Sequence, residues 1–474
     1  VINKRFMKKI ISLFVVLFIG SAVYVSAQEL PLVLPAVLSD HAVLQENTEV
    51  KLWGKGPGGL ALKVVCSWMP GDTLKTRITP ECDWEINVHT PSSSGGDSII
   101  FMCGSQKLKI RDIIFGEVWI CSGQSNMEFN AGWGLSDAGS AFEDCSNNEI
   151  RFFEVKKSYD RFPLSDCSGE WVVCDKKSAF HFSSTGYFFG RKLNKILKSP
   201  IGLIGSYWEG SCIQSWIPAN ILYGDSDLRT AAVNKESYKC APEGGGVLYN
   251  AMINPLTSYR IAGSIWYQGE ANVSRNPHDY AKLFKAMIRG WRYAFSEDFP
   301  FYFVQIAPWN GYKGIDGAYL REQQADALSL PRTSMVPVSD LTEDVSNLHP
   351  GRKRELGERL ADMALSKKYG LKTISSFSPS ICGFIIKGNS AYVSVKTCGK
   401  LKCSGRKIKN FQIAGADKIF YSADAVILSD GVIKVSSAEV SNPVSVRYCF
   451  TNDALPDLFD VNGLPLIPFR TDNW

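Results

Sequence analysis

Ser125 and His349 are the residues whose type and setting point most directly to chemistry. Ser125 lies in Ser122-Gly123-Gln124-Ser125-Asn126-Met127, directly after the apolar run Glu117–Cys121. A serine hydroxyl is a weak nucleophile until a base takes its proton and donors stabilise the oxyanion formed by its attack. Gly123 permits a tight turn, and a helix beginning just after it would aim main-chain N–H groups at such an oxyanion. The segment is not the G-x-S-x-G elbow, because Met127 stands in its final position. His349 is one of only five histidines, and Pro350 beside it suits the first turn of a helix. Taken singly, a turn serine is more often a cap and a histidine at a helix start more often structural. Gln268 and Glu270, after the apolar run Ile261–Tyr267, read by themselves as ordinary polar loop residues.

The elements that carry these residues give them joint weight. Between Ile113 and Tyr369, apolar strand-like runs alternate with amphipathic helices. The expected strands are Glu117–Cys121, Ile201–Gly205, Ile261–Tyr267, Phe301–Ile306 and Met335–Val338; the expected helices are Tyr187–Leu197, Asp279–Phe295, Tyr319–Leu328 and Gly351–Lys368. Continuous apolar strands separated by helices imply a parallel sheet covered on both faces. In the last helix Leu356, Leu360, Met363 and Ala364 form the apolar stripe, with Arg352, Lys353, Glu358 and Asp362 opposite. Ligands of open α/β sheets bind at the carboxyl ends of the strands. The polar segments holding Ser125, Trp208–Gly210, Gln268–Glu270 and Asp340–His349 all follow a strand, so they converge at one edge.

Short alternating runs separated by turn residues fill Leu30 to Ile110 and again Ile374 to Trp474, implying antiparallel β regions at both ends. The expected division is a signal peptide over 1–27, an N-terminal β domain over 28–111, a catalytic α/β domain over 112–370 and a C-terminal β domain over 371–474. The last would stand alone or pair with the N-terminal strands. Lys4, Arg5, Lys8 and Lys9, an apolar stretch from Ile10 to Ala22, and Val25-Ser26-Ala27 form the pattern of a cleavable secretory signal. The expected location is therefore secreted or periplasmic, with no membrane attachment after cleavage.

The chain holds 52 basic and 47 acidic residues, and the signal contains four of the basic ones. The remainder is close to neutral, which offers no electrostatic case for nucleic acid or an anionic membrane. The 13 cysteines leave at least one thiol unpaired. Cys121 and Cys449 sit in apolar strands as fillers, while Cys167–Cys174 and Cys398–Cys403 are candidate bridges. The histidines, His41, His89, His181, His278 and His349, show no metal-ligand spacing, and no metal or other cofactor is expected. Asn272-Val273-Ser274 fits a glycosylation sequon.

Gly116-Glu117-Val118-Trp119-Ile120-Cys121-Ser122-Gly123-Gln124-Ser125-Asn126-Met127-Glu128-Phe129 resembles the nucleophile block of the sialate O-acetylesterase-like SGNH hydrolases. The likeness continues in Gly186–Arg191, Pro200–Ile204, Leu248–Ile253, Ile265–Asn272 and Leu348-His349-Pro350, and at both flanks in Asp40–Gln45 and Gly463–Asp472. It implies a flavodoxin-like three-layer α/β/α fold and removal of O-acetyl groups from a sugar or glycan. The substrate would be a sialic acid or, alternatively, acetylxylan or another plant glycan. A reading of a different class is a glycan-binding protein on a hydrolase fold without turnover. The resemblance assigns Ser125 as nucleophile and His349 as base. It assigns the Ser125 N–H, the Gly210 N–H and the Gln268 side chain to the oxyanion, with Asn126 and Trp208 beside the substrate. Many SGNH enzymes carry an Asp three residues before the histidine, where this chain has Ser346. Glu270 is the choice for the orienting acid, with Asp340 or none as the alternatives. A second departure is Trp208-Glu209-Gly210-Ser211-Cys212, where relatives often read Trp-Gly-Gly-Thr. An inward-pointing Glu209 would oppose the developing negative charge.

Overall fold

The computed structural model describes residues 30–92, 95–233, 240–275, 277–429 and 431–474. The expected signal over 1–27 lies outside the described residues. The centre is a sheet of β1 (Gln106–Gly123), β2 (Asn147–Glu154), β3 (Trp171–Cys174), β4 (Ile201–Tyr207), β5 (Gly263–Tyr267), β6 (Phe301–Gln305) and β7 (Thr333–Pro337). They lie in the order β7-β6-β5-β1-β4-β2-β3. All pairs are parallel except β2–β3. Successive residues of β1 feed opposite cores: Val118 and Ile120 join one cluster, Trp119 and Cys121 the other. A strand apolar on both faces has to be covered on both. One face is covered by α2 (Ser184–Leu197) and α6 (Lys353–Lys367), the other by α4 (Tyr280–Ala294). Gly357 of α6 lets the helices meet closely, since a Cβ there would lie 2.6 Å from the Thr185 carbonyl oxygen.

The boundary expected at 111/112 falls inside a single strand. The first part of β1 pairs antiparallel with Asp97–Cys103, its middle runs parallel to Val43–Gln45, and its end enters the central sheet. The N-terminal β region and the catalytic sheet thus share a backbone and a core. The C-terminal strands form sheets of their own around a separate apolar cluster. Among the described residues they pair with no N-terminal strand. They dock instead on α5 (Asp316–Asp326), where Arg470 holds Glu322 at 2.8 Å and Asn452 accepts the Gly317 N–H at 2.9 Å.

Strands β2 and β3 had no counterpart among the expected elements. The last helix begins at Lys353, so Pro350 precedes it rather than sitting in its first turn. Lys353 itself, expected on the polar face, is buried at 1% exposure. All 13 cysteines are free thiols, so neither expected bridge is present. Asn272 of the sequon is wholly buried and donates to the Gln214 side chain at 3.0 Å, which removes it from reach of glycosylation.

Candidate active site

Three strands end level where the polar segments gather. Gly123 of β1 is in register with Tyr207 of β4 and with Tyr267 of β5. The chain can turn there only because residue 123 is glycine. Its φ is 143°, and a Cβ would stand 2.1 Å from the Tyr267 carbonyl oxygen. Helix α1 (Ser125–Glu128) starts two residues later, so Ser125 is its first residue and its N–H has no acceptor within the helix. The Gln124 side chain pins this turn to the neighbouring strand end by accepting the Gly269 and Ala271 N–H groups at 3.3 and 3.2 Å.

His349 arrives from the loop after β7. Its Nε2 lies 2.9 Å from Ser125 Oγ, within hydrogen-bond reach. The loop is tied down along its length. Trp309 Nε1 donates to the Ser346 carbonyl at 3.1 Å, the Asn310 N–H to the Val345 carbonyl at 2.9 Å, and the His349 N–H to Asn347 Oδ1 at 2.9 Å. Trp133 packs edge-on against the imidazole, ring centres 6.3 Å apart.

The other expected residues take different places. Gln268 is buried with its amide fully engaged: Nε2 donates to the Ser211 carbonyl at 3.1 Å and to Asn272 Oδ1 at 2.8 Å, and Oε1 accepts the Tyr280 hydroxyl at 2.8 Å. With both donors used, it braces the segment after Gly210 rather than reaching toward an oxyanion. Gly210, at φ 69°, directly precedes that braced Ser211. Trp208 is half-buried at the rim, its main-chain N–H bonded to the Gly123 carbonyl at 3.1 Å.

Glu270, expected to orient His349, instead accepts from Asn126 Nδ2 at 2.6 Å. Asp340 is held by both terminal nitrogens of Arg359, at 2.8 and 2.6 Å. Among the described residues, no carboxylate is hydrogen-bonded to His349. Asn126 also donates to the Leu348 carbonyl at 3.1 Å, and its Oδ1 accepts from Lys353 Nζ at 2.6 Å. The residue after the nucleophile is thereby tied to the residue before the base, over a buried Glu270–Lys353 pair.

Electrostatics follow from this burial. Desolvation pulls Lys353 down to about 7, opposed by Glu270, and desolvation raises Glu270 above the usual carboxylate range, opposed by Asn126 and Lys353. His349 is lowered from the ordinary histidine value, first by desolvation and then by the Lys353 charge, while Glu209 pulls it upward. A neutral imidazole at neutral pH is the form that accepts a proton.

Residues 116–366 match the carbohydrate esterase, sialic acid-specific acetylesterase family. The fold as a whole superposes on the crystal structure of a carbohydrate acetylesterase from Xanthomonas citri with a TM-score of 0.85. That match covers 94% of this chain and 100% of the other at 32% identity. The chain belongs to the sialic acid-specific acetylesterase family of carbohydrate esterases. The family is one of carboxylic-ester hydrolases with the three-layer α/β architecture described above. Two further relatives are the sialate O-acetylesterases of Rattus norvegicus and Homo sapiens. The rat protein is 29% identical over 412 residues, covering 72% of this chain and 74% of that one. The human protein is 28% identical over 378 residues, with 72% of each chain covered.

For this family member, sequence reasoning missed Gln124, Trp133, Trp309 and Lys353. A lysine four residues after the histidine on an amphipathic helix carries no signal that it is buried. Trp309 follows β6 by a few residues, and nothing in the sequence tells which carbonyl its indole holds.

Proposed function

We propose that the chain is a serine esterase removing O-acetyl groups from carbohydrates, sialate 9-O-acetylesters foremost, with acetylxylan or another plant glycan as the alternative substrate. Ser125 Oγ attacks the acetyl carbonyl carbon as His349 Nε2 takes its proton. The oxyanion is held by the Ser125 and Gly210 N–H groups. As the intermediate collapses, the bond to the sugar oxygen breaks, and His349 returns its proton to that oxygen. Water then attacks the acetyl-Ser125 ester with His349 as base, releasing acetate and restoring the hydroxyl.

The observation that carries this reading is the 2.9 Å approach of His349 Nε2 to Ser125 Oγ. The centre works as a Ser–His dyad, its histidine oriented by the anchored loop and by Trp133. The buried Asn126–Glu270–Lys353 group sets the spacing between nucleophile and base. A non-catalytic glycan-binding protein has no need of a neutral histidine on a serine hydroxyl. The chain acts outside the cytoplasm, exported by the segment over 1–27; among the described residues, no helix is long and apolar enough to cross a membrane.

The test is acetate release from O-acetyl sialic acid, acetylxylan and acetylated pectin, with Ser125→Ala as control. Release from at least one substrate, abolished by the substitution, is expected. No serine-dependent release from any of them, nor from p-nitrophenyl acetate, overturns the esterase reading.

A further inference from the structure

The Gly210 N–H belongs to a tight turn that follows β4. The Ser211 N–H returns to the Trp208 carbonyl at 3.2 Å, and Gly210, at φ 69°, holds the third position, where a positive φ favours glycine. Both ends of the turn are anchored. The Trp208 N–H donates to the Gly123 carbonyl at 3.1 Å, and the Ser211 carbonyl accepts from Gln268 Nε2 at 3.1 Å. Between these anchors stand two main-chain donors, the Glu209 and Gly210 N–H groups, which take no part in the turn's own bond.

Glu128 treats the two donors differently. It is the last residue of α1, the short helix whose first residue is Ser125. Its Oε2 accepts the Glu209 N–H at 2.9 Å, and its Oε1 accepts from Lys157 Nζ at 2.6 Å. Among the described residues, the Gly210 N–H has no acceptor. One donor of the turn is thus tied to the nucleophile helix and the next is left free. Peptide groups are rigid planes joined at the Cα, so fixing the Glu209 N–H restricts the direction of the Gly210 N–H that follows it. A bare carboxylate at this place would oppose an oxyanion, and the Lys157 ammonium offsets that charge. The same ammonium lies 5.7 Å from the ring of Trp208, the first residue of the turn.

The plain alternative is a surface ion pair between Glu128 and Lys157, which would contribute little. The Glu128 side chain is only 15% exposed, however, and it spends one oxygen on a main-chain N–H adjoining the free donor. We infer that Glu128 is a positioning residue for the oxyanion: it clamps the turn 208–211 to α1, so that the Ser125 and Gly210 N–H groups converge on one point. The inference rests on the esterase reading above and adds to it the side chain that joins the two halves of the oxyanion site.

The test measures p-nitrophenyl acetate hydrolysis and inhibition by 1,1,1-trifluoroacetone, a ketone that adds to a serine hydroxyl and leaves an oxyanion in place. Removal of an oxyanion donor outright lowers kcat by about 10²–10³. Glu128→Ala leaves the Gly210 donor present but free to turn away, so kcat should fall by about tenfold or more. Acylation and deacylation both pass through an oxyanion, so KM should stay within about threefold. The Ki of the ketone should rise by about the factor that kcat/KM loses, because both report the same tetrahedral species. Glu128→Gln keeps an oxygen for the Glu209 N–H and should recover most of the lost kcat. If Glu128→Ala fails to fold, Glu128→Asp, one methylene short of that N–H, takes its place with the same expected losses. A folded variant with kcat within about twofold of the parent, a ketone Ki that stays put while kcat falls, or a Gln variant no better than the Ala or Asp one overturns the inference. Turnover that survives Ser125→Ala would instead overturn the esterase reading beneath it.

Discussion

Replacing Lys353 with methionine tests how the centre is held together. The side chain is buried, with Nζ 2.6 Å from Asn126 Oδ1 and 4.8 and 5.0 Å from the ring centres of Phe129 and Tyr267. Methionine retains most of the stem packing and removes the charge. A hydrogen bond to a charged group contributes about 1.5–3 kcal/mol, and a desolvated cation–π contact about 2 kcal/mol. Relief of the ammonium's own desolvation offsets part of that loss, while Glu270 is left buried without its counter-charge. The expected net cost is about 2–4 kcal/mol, read from the urea midpoint at unchanged m. Glu270→Gln keeps an acceptor for Asn126 without the charge, so the double variant should recover about 1 kcal/mol or more relative to additivity. The pH profile supplies a second readout that packing alone would not move. The Lys353 charge holds the His349 pKa down, so its removal raises that pKa and moves the acid limb of kcat/KM to higher pH. A stability change below about 0.5 kcal/mol together with an acid limb that stays put or moves down would refute the reasoning.

Other expectations follow from the same geometry. In the unaltered enzyme the acid limb should lie below the ordinary histidine value of 6.5, because desolvation lowers His349; a limb above that value contradicts the assignment. Glu209→Gln removes the carboxylate that pulls His349 upward, so its acid limb should move to lower pH, opposite to Lys353→Met. Gln268→Ala should lose about 2–4 kcal/mol of stability together with activity, since it orphans buried partners. A direct oxyanion donor would instead lose about 10²–10³ in kcat at unchanged stability. Gly123→Ala should cost about 3 kcal/mol or more, measured by urea unfolding, because the added Cβ meets the Tyr267 carbonyl at an unfavourable φ.

The central strands and the four long helices were legible because burial on both faces leaves unbroken apolar runs and because the helix periodicity is regular. Strands β2 and β3 were not, since β2 opens on the polar residues Asn147-Asn148-Glu149 and β3, at the sheet edge, is only four residues long, too short to show a period. The meeting of Ser125 with His349 was legible from loop position, as strand ends of a parallel sheet share one edge. The orientation of side chains there was not. Gln268 and Glu270 were found as polar groups at the correct edge, yet Gln268 turns to Ser211 and Tyr280 and Glu270 to Asn126. Lys353 was read as a surface residue because it was placed with the charged residues opposite the apolar stripe. Only the fold shows that a buried carboxylate and amide wait there to receive it.

The central claim is that Ser125 becomes acetylated and His349 drives that step. The most direct measurement is peptide mass spectrometry of enzyme quenched in acid during turnover of an acetyl ester. An acetyl group on the peptide containing Ser125 is expected, absent from Ser125→Ala and formed far more slowly in His349→Ala. Acetylation at another residue, or undiminished turnover by Ser125→Ala, would contradict the account.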